Sequence, residues 1–120
     1  MLFRSFYSAF GADTGNAIAW SGSKFVVVGD SGKCATSTDG INWTAQSGLS
    51  SAIGANYLTS ITYGNSKFVA VGYGKCATSS DGVTWTNQTS FTSAFGSTLQ
   101  GYSITWNGSK FVVEIGRAHV

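Results

Sequence analysis

Charge is what this sequence has least of. Lysine plus arginine number 7 and aspartate plus glutamate 5, so charged residues make up 10% of the chain, where a soluble domain usually carries roughly 25%. The net charge is +2 with no basic cluster, which argues against a nucleic-acid partner. One histidine and five acids are thin material for acid–base chemistry. Two cysteines beside that single histidine fall short of an ordinary metal-ligand set, and no cofactor is expected. No apolar run approaches the roughly 18–20 residues of a membrane span, so no membrane partner is expected either. Proline is absent. Yet hydrophobic residues reach 42% and aromatics 14%, too much for a disordered chain.

What the sequence does contain is a repeat. Ile18 opens IAWSGSKFVVVGDSGKCATSTDGINWT, Ile61 opens ITYGNSKFVAVGYGKCATSSDGVTWT, and Ile104 opens ITWNGSKFVV. Phe25, Phe68 and Phe111 are 43 residues apart, whereas Cys34 and Cys76, like Trp43 and Trp85, are 42 apart. One residue is therefore missing where Gly-Asp-Ser-Gly-Lys becomes Gly-Tyr-Gly-Lys. Self-similarity at this period is the mark of a repeat architecture.

Each unit predicts four short strands. In the second unit they are strand a at 60–63, b at 67–72, c at 75–79 and d at 83–88. Asp81-Gly82, like Asp39-Gly40, is expected to form a two-residue hairpin between c and d. No stretch shows a helical period with capping residues. Strand b is apolar on both faces: Phe25 and Val27 point one way, Val26 and Val28 the other. It should therefore be buried on both sides, unlike a strand of a sheet with one wet face. Four-stranded units buried on both faces suit radial stacking. The expected fold is all-β, a partial β-propeller of four-stranded antiparallel blades with a repeat of about 43 residues.

Ser37-Thr38-Asp39-Gly40-Ile41-Asn42-Trp43 and Ser79-Ser80-Asp81-Gly82-Val83-Thr84-Trp85 resemble the Asp box of the sialidase-like, or BNR, β-propellers, with one residue fewer between Asp and Gly. The whole unit is also similar to photosystem II assembly-factor propellers. The resemblance implies a structural hairpin at the rim of each blade, formed by Ser37, Asp39, Gly40 and Trp43, and by Ser79, Asp81, Gly82 and Trp85. In it the carboxylate accepts N–H groups of its own turn and the Trp packs beneath. Sialidase chemistry needs an arginine cluster, a Tyr–Glu pair and a further acid. Before residue 114 the chain offers Arg4 alone and no Glu. No catalytic, cofactor or metal residue is expected within it.

The expected organisation is a propeller fragment at 1–113. It comprises the end of a preceding blade with its connection (1–16), two blades (17–58 and 59–101) and the start of another (102–113). Residues 114–120, Glu-Ile-Gly-Arg-Ala-His-Val, abandon the repeat and resemble the translation of a sequencing adapter. They are expected to be a non-native tail, with the missing blades as the natural partners and self-association if the piece is isolated. Cys34 and Cys76 are expected to be small buried apolar residues in strand c. Three Asn-x-Ser/Thr triplets, at Asn42, Asn87 and Asn107, read as chance matches. The d-to-a connections (5–17, 45–59 and 87–102) read as long loops; Tyr57, Gln100 and Tyr102 on them form a speculative face for a glycan or protein ligand. The function expected is a non-enzymatic binding or scaffold module of an extracellular, surface or phage-structural protein. The alternatives are part of a glycoside hydrolase with its catalytic residues elsewhere, or an intracellular assembly factor.

Overall fold

The Val- and Phe-rich segments form strands because branched and aromatic side chains pack well on a pleated surface. A computed structural model describes residues 6, 8–11, 13–90 and 100–116, without the side chains of 100–102 and 115–116. The elements are β1 (Gly15–Trp20), β2 (Phe25–Gly29), a 3-10 turn (Asp30–Gly32), β3 (Cys34–Ser37), β4 (Thr44–Ala45), α1 (Gly48–Ile53), β5 (Leu58–Gly64), β6 (Lys67–Gly72), β7 (Lys75–Ser79), β8 (Thr86–Asn87), β9 (Gln100–Trp106) and β10 (Phe111–Gly116). They make two four-stranded antiparallel sheets, β1-β2-β3-β4 and β5-β6-β7-β8, and a two-stranded sheet, β9-β10.

The repeat holds in register. Trp20 pairs with Phe25, Tyr63 with Phe68 and Trp106 with Phe111, each pair's ring centroids 4.4–4.8 Å apart. Each first strand carries an irregularity at the same place, leaving Asn16, Thr59 and Tyr102 as the extra residue. Such bulges re-aim a side chain. Asn16 shows the effect: its amide donates to the Leu58 carbonyl at 2.9 Å and to Asp30 Oδ1 at 2.9 Å, tying the first sheet to the start of the second.

The sheets stack face on face. Val26, Val28 and Cys34 of the first sheet meet Ile61, Phe68, Ala70, Ala77 and Trp85 of the second, with Leu49 and Ile53 of α1 closing the layer. The other face of the second sheet places Val69, Val71 and Cys76 against Ile104, Phe111 and Val113. The outer face of the first sheet, with Val27 and Ala35, is covered in part by Phe6 and Phe10. Strand b is thus buried on both sides, as its two apolar faces require; each such Val or Phe contributes about 1.5–3 kcal/mol of burial. The sheets lie nearest one another at their first strands, β1 beside β5 and β5 beside β9. Ile104 N–H donates to Ser60 Oγ at 3.1 Å, and Gly64 lies under the Trp106 ring with no room for a Cβ. These contacts place β5 and β9 in the same direction.

Two expectations are corrected. The Asp-Gly pairs are not two-residue hairpins: residues 38–43 and 80–85 separate strands c and d, and strand d is only Thr86–Asn87 (or Thr44–Ala45). The Asp carboxylate takes the N–H groups that strand pairing would have used, so the chain keeps turning until the Trp. The connection at 45–59 is not an irregular loop, because α1 lies within it; Leu49 and Ile53, one helical turn apart, are both buried. Residues 8–10 are likewise helical, with Phe10 fully buried. Gly48–Ile53 carries little helical signal in sequence, being under two turns long, Ser-rich and without a side-chain cap. Trp43 and Trp85 are also not in equal environments. Trp85 is buried between sheets, whereas Trp43 is half-buried against Phe6 and Phe25. The layer that covers Trp85 is a whole sheet; only Phe6, Ala9 and Phe10 stand there for Trp43 among the described residues.

Candidate functional site

Ser37 and Ser79 end the third strand of their sheets, and the turn that follows is built on their hydroxyls. Ser37 Oγ accepts Asp39 N–H at 3.2 Å and Gly40 N–H at 2.8 Å and donates to Asp39 Oδ1 at 3.0 Å. Ser79 repeats the arrangement with Asp81 and Gly82 at 3.2, 2.8 and 3.0 Å. Asp39 Oδ1 then accepts the N–H groups of Ile41 and Asn42 at 2.9 and 2.8 Å, and its Oδ2 accepts the Asn42 side-chain amide at 3.0 Å. Asp81 Oδ1 accepts Val83 and Thr84 N–H at 2.8 and 2.9 Å. Gly40 and Gly82 hold φ of 76° and 78°, a left-handed conformation that glycine adopts without penalty.

These bonds set the electrostatics. The N–H of Asn42, then that of Ile41, holds the Asp39 carboxyl below the usual carboxylate range; Thr84 and Val83 do the same for Asp81. A carboxylate whose Oδ1 is so engaged is a turn former: it stays ionised, which does not suit a general acid. Asn42, a glycosylation triplet by pattern, spends its amide on Asp39.

The second loop reaches outside its own sheet. Trp85 Nε1 donates to the Gly82 carbonyl at 3.2 Å, and Cys34 Sγ approaches the same oxygen at 3.9 Å from the first sheet. Lys24 Nζ donates to the Asp81 carbonyl at 2.7 Å. A Cβ on Gly82 would lie 2.7 Å from Val26 Cγ2 and 3.4 Å from Thr36 Cγ2. The turn of the second unit is therefore seated on β2 and β3 of the first.

Cys34 and Cys76 are buried free thiols. Burial pushes Cys34 up to about 12 and Cys76 up to about 11. Neither is a nucleophile at neutral pH. Among the described residues no group of three His, Cys, Asp or Glu could hold a metal ion.

At the opposite end of the sheets, Tyr57 is exposed and its ring lies 5.5 Å from that of Tyr73, also exposed. Tyr73 occupies the b–c turn where the first unit has Asp30, and was not singled out from sequence. Aligning the shortened turn of unit two with its sister would have exposed it as an unmatched aromatic. Gln100 and Tyr102 lie on β9, Gln100 at the position of Tyr57 and Tyr102 at the bulge; their side chains are outside the described residues. Leu58 and Gln100 open parallel strands at the same end, so the backbone positions of Tyr57 and Gln100 share a face of the stack. A groove of about 270 Å³ lies near the first b–c turn, lined among others by Ser31, Lys33, Cys34, Gln46, Ser47 and Ser50. No protein-family model, curated protein or solved structure matches this chain.

Proposed function

We propose that this chain is a run of blades from an Asp-box, sialidase-like β-propeller and serves as a non-catalytic binding or scaffold module of a larger protein. The observation that carries the reading is the seat of one unit's Asp-box turn on the strands of the unit before it, through Lys24, Val26 and Thr36. Convergence of the sheets at β1, β5 and β9 supports a radial rather than a flat stack. Engagement of both Asp-box carboxylates by their own turns supports a structural role for them. Residues 114–120 are read as foreign to the repeat. In support, Ile115 stands at the position of Gly29 and Gly72, where an added Cβ would fall on a carbonyl oxygen of Thr14 or Tyr57.

The ligand face belongs to the end that carries Tyr57 and Tyr73, whose tilted exposed rings suit the apolar face of a sugar or a protein side chain. The part of the first sheet's outer face where Ile18 and Trp20 stand half exposed is where a neighbouring blade or a second copy would sit.

A concatemer series tests the architecture. Tandem copies of residues 18–60 should curl as copies are added, so that the maximum dimension from X-ray scattering levels off. Growth in proportion to copy number marks a flat solenoid and overturns the reading.

A further inference from the structure

The two complete units are nearly the same along strands b and c. Lys24-Phe25-Val26-Val27-Val28-Gly29 stands against Lys67-Phe68-Val69-Ala70-Val71-Gly72, and Lys33-Cys34-Ala35-Thr36-Ser37 against Lys75-Cys76-Ala77-Thr78-Ser79. They differ at one end of the stack. In both units the b–c turn meets the residue that leads into strand a: Asp30 N–H donates to the Thr14 carbonyl at 3.0 Å, and Tyr73 N–H to the Tyr57 carbonyl at 3.3 Å. Thr14 and Asp30 of unit one thus correspond to Tyr57 and Tyr73 of unit two, and Asp13 corresponds to Asn56. In unit one Lys33 Nζ pairs with Asp13 Oδ2 at 3.6 Å. Lys75 stands at the position of Lys33, but Asn56 carries no charge and turns its amide to the Ile53 carbonyl. Among the described residues Lys75 has neither an ion pair nor a hydrogen bond. Unit two has lost both acids of this end, gained two aromatic rings and kept the cation.

The repeat also shows that this end stays open when another unit follows. Unit one is followed by a whole sheet, yet Thr14 and Ser31 are exposed and Asp30 is only partly buried. β9 likewise already lies beside β5, and Tyr57 and Tyr73 remain exposed. Tyr57 leads into β5, which is paired with β6 and has β1 and β9 beside it. No strand edge is therefore open there for a peptide backbone.

We propose that Tyr57, Tyr73 and Lys75 form a binding site for an acidic polysaccharide, a chain of pyranose units bearing carboxylates. The apolar face of one unit lies on the tilted rings, whose centroids are 5.5 Å apart. Its carboxylate takes the Lys75 ammonium, as the Asp13 carboxylate takes that of Lys33. The inference rests on the reading of this end as the ligand face and names its ligand class.

The probe is trigalacturonate, titrated calorimetrically into the 120-residue chain. Saturable binding is expected, about tenfold tighter than that of the neutral maltotriose, the scale of one hydrogen bond from a charged donor. Tyr57→Ala and Tyr73→Ala, at exposed positions, should fold and should each weaken binding of trigalacturonate. Lys75→Gln should reduce the affinity for trigalacturonate to that for maltotriose, whereas Lys33→Gln should leave it unchanged. Should Lys75→Gln fail to fold, Asn56→Asp supplies Lys75 with the acid that Lys33 has and carries the same expected loss. Absence of saturable trigalacturonate binding, equally tight binding of hexaglutamate, or equal losses from Lys33→Gln and Lys75→Gln overturns the proposal. Maltotriose bound as tightly as trigalacturonate, with both lost in Tyr57→Ala, defeats the acidic class and leaves the ligand face standing. Indifference of every ligand to both tyrosine variants defeats the ligand face as well.

Discussion

Lys24 and Asp81 are 57 residues apart in sequence, yet the Lys24 ammonium donates to the Asp81 main-chain carbonyl at 2.7 Å. The partner is the carbonyl and not the carboxylate, because the carboxylate is turned inward to Val83 and Thr84 N–H. The bond joins the end of one unit's a–b turn to the c–d turn of the next, and it recurs at every interface of a stack if the repeat recurs. Lys24→Ala should lower the unfolding free energy by about 1 kcal/mol, the usual net worth of a hydrogen bond. Urea unfolding, with the slope compared between variants, measures it.

Gly40 and Gly82 separate turn geometry from packing between units. Both have φ near +77°, so alanine at either should cost about 1–2 kcal/mol for the left-handed conformation. At Gly40 the added methyl meets, among the described residues, the Phe25 ring alone, at 3.4 Å. At Gly82 it lies 2.7 Å from Val26 Cγ2. Gly82→Ala should therefore exceed Gly40→Ala by about 1–3 kcal/mol, the range for overpacking a filled core. Equal costs in denaturant titrations would show that the turn of unit two is not seated on unit one.

Trp85 and Trp43 make the same comparison with a large side chain. Trp85 is 6% exposed and hydrogen-bonded, so Trp85→Ala should cost about 3–5 kcal/mol. Trp43 is half-buried, and its loss should cost about 1–2 kcal/mol of burial. Differential scanning calorimetry on both variants gives the ranking.

Alkali should unfold the chain earlier than its lysine content alone requires. The native thiols sit at about 12 and about 11, above the ordinary value of 9.0. A thiol raised in the folded state contributes its full stability below the unfolded value and loses it as pH rises toward the folded one. Unfolding midpoints should thus fall from pH 9 upward, and Cys34→Ala with Cys76→Ala should flatten that fall. Native protein should also resist a maleimide at neutral pH until denaturant is added.

Acid works through the Asp boxes with the opposite sign. Backbone N–H groups lower the carboxyls of Asp39 and Asp81 in the folded state, so their stabilisation is present above the unfolded carboxyl value and is lost as pH falls through the folded one. Unfolding midpoints should drop between about pH 5 and about pH 2. The double variant Asp39→Asn, Asp81→Asn should be less stable at neutral pH and less sensitive to acid. An unchanged acid profile in that variant would locate the titration elsewhere.

The strands of this protein are local facts, and so they were legible. Lys67–Gly72 and Lys75–Ser79 occupy the predicted positions because short runs rich in Val, Phe, Ala and Thr, punctuated by glycine, leave the chain few other conformations. The repeat likewise announced two equal four-stranded units, and two apolar faces on strand b announced burial on both sides. What sequence could not decide were choices between partners. Whether Asp39 and Asp81 close a tight hairpin or gather the N–H groups ahead of them was settled by bonds within the turn, from Ser37 and Ser79 to the Asp-Gly amides and from the carboxylates to the next two, which the Asp-Gly pair alone does not announce. Whether Gly48–Ile53 becomes a helix depends on a slot between sheets for Leu49 and Ile53, since six residues gain little from helix propensity alone. Equal motifs around Trp43 and Trp85 acquired unequal burial because a whole sheet covers one of them. Identical local chemistry specified identical turns; only the stacking of one unit on the next seated the second of them on Lys24 and Val26.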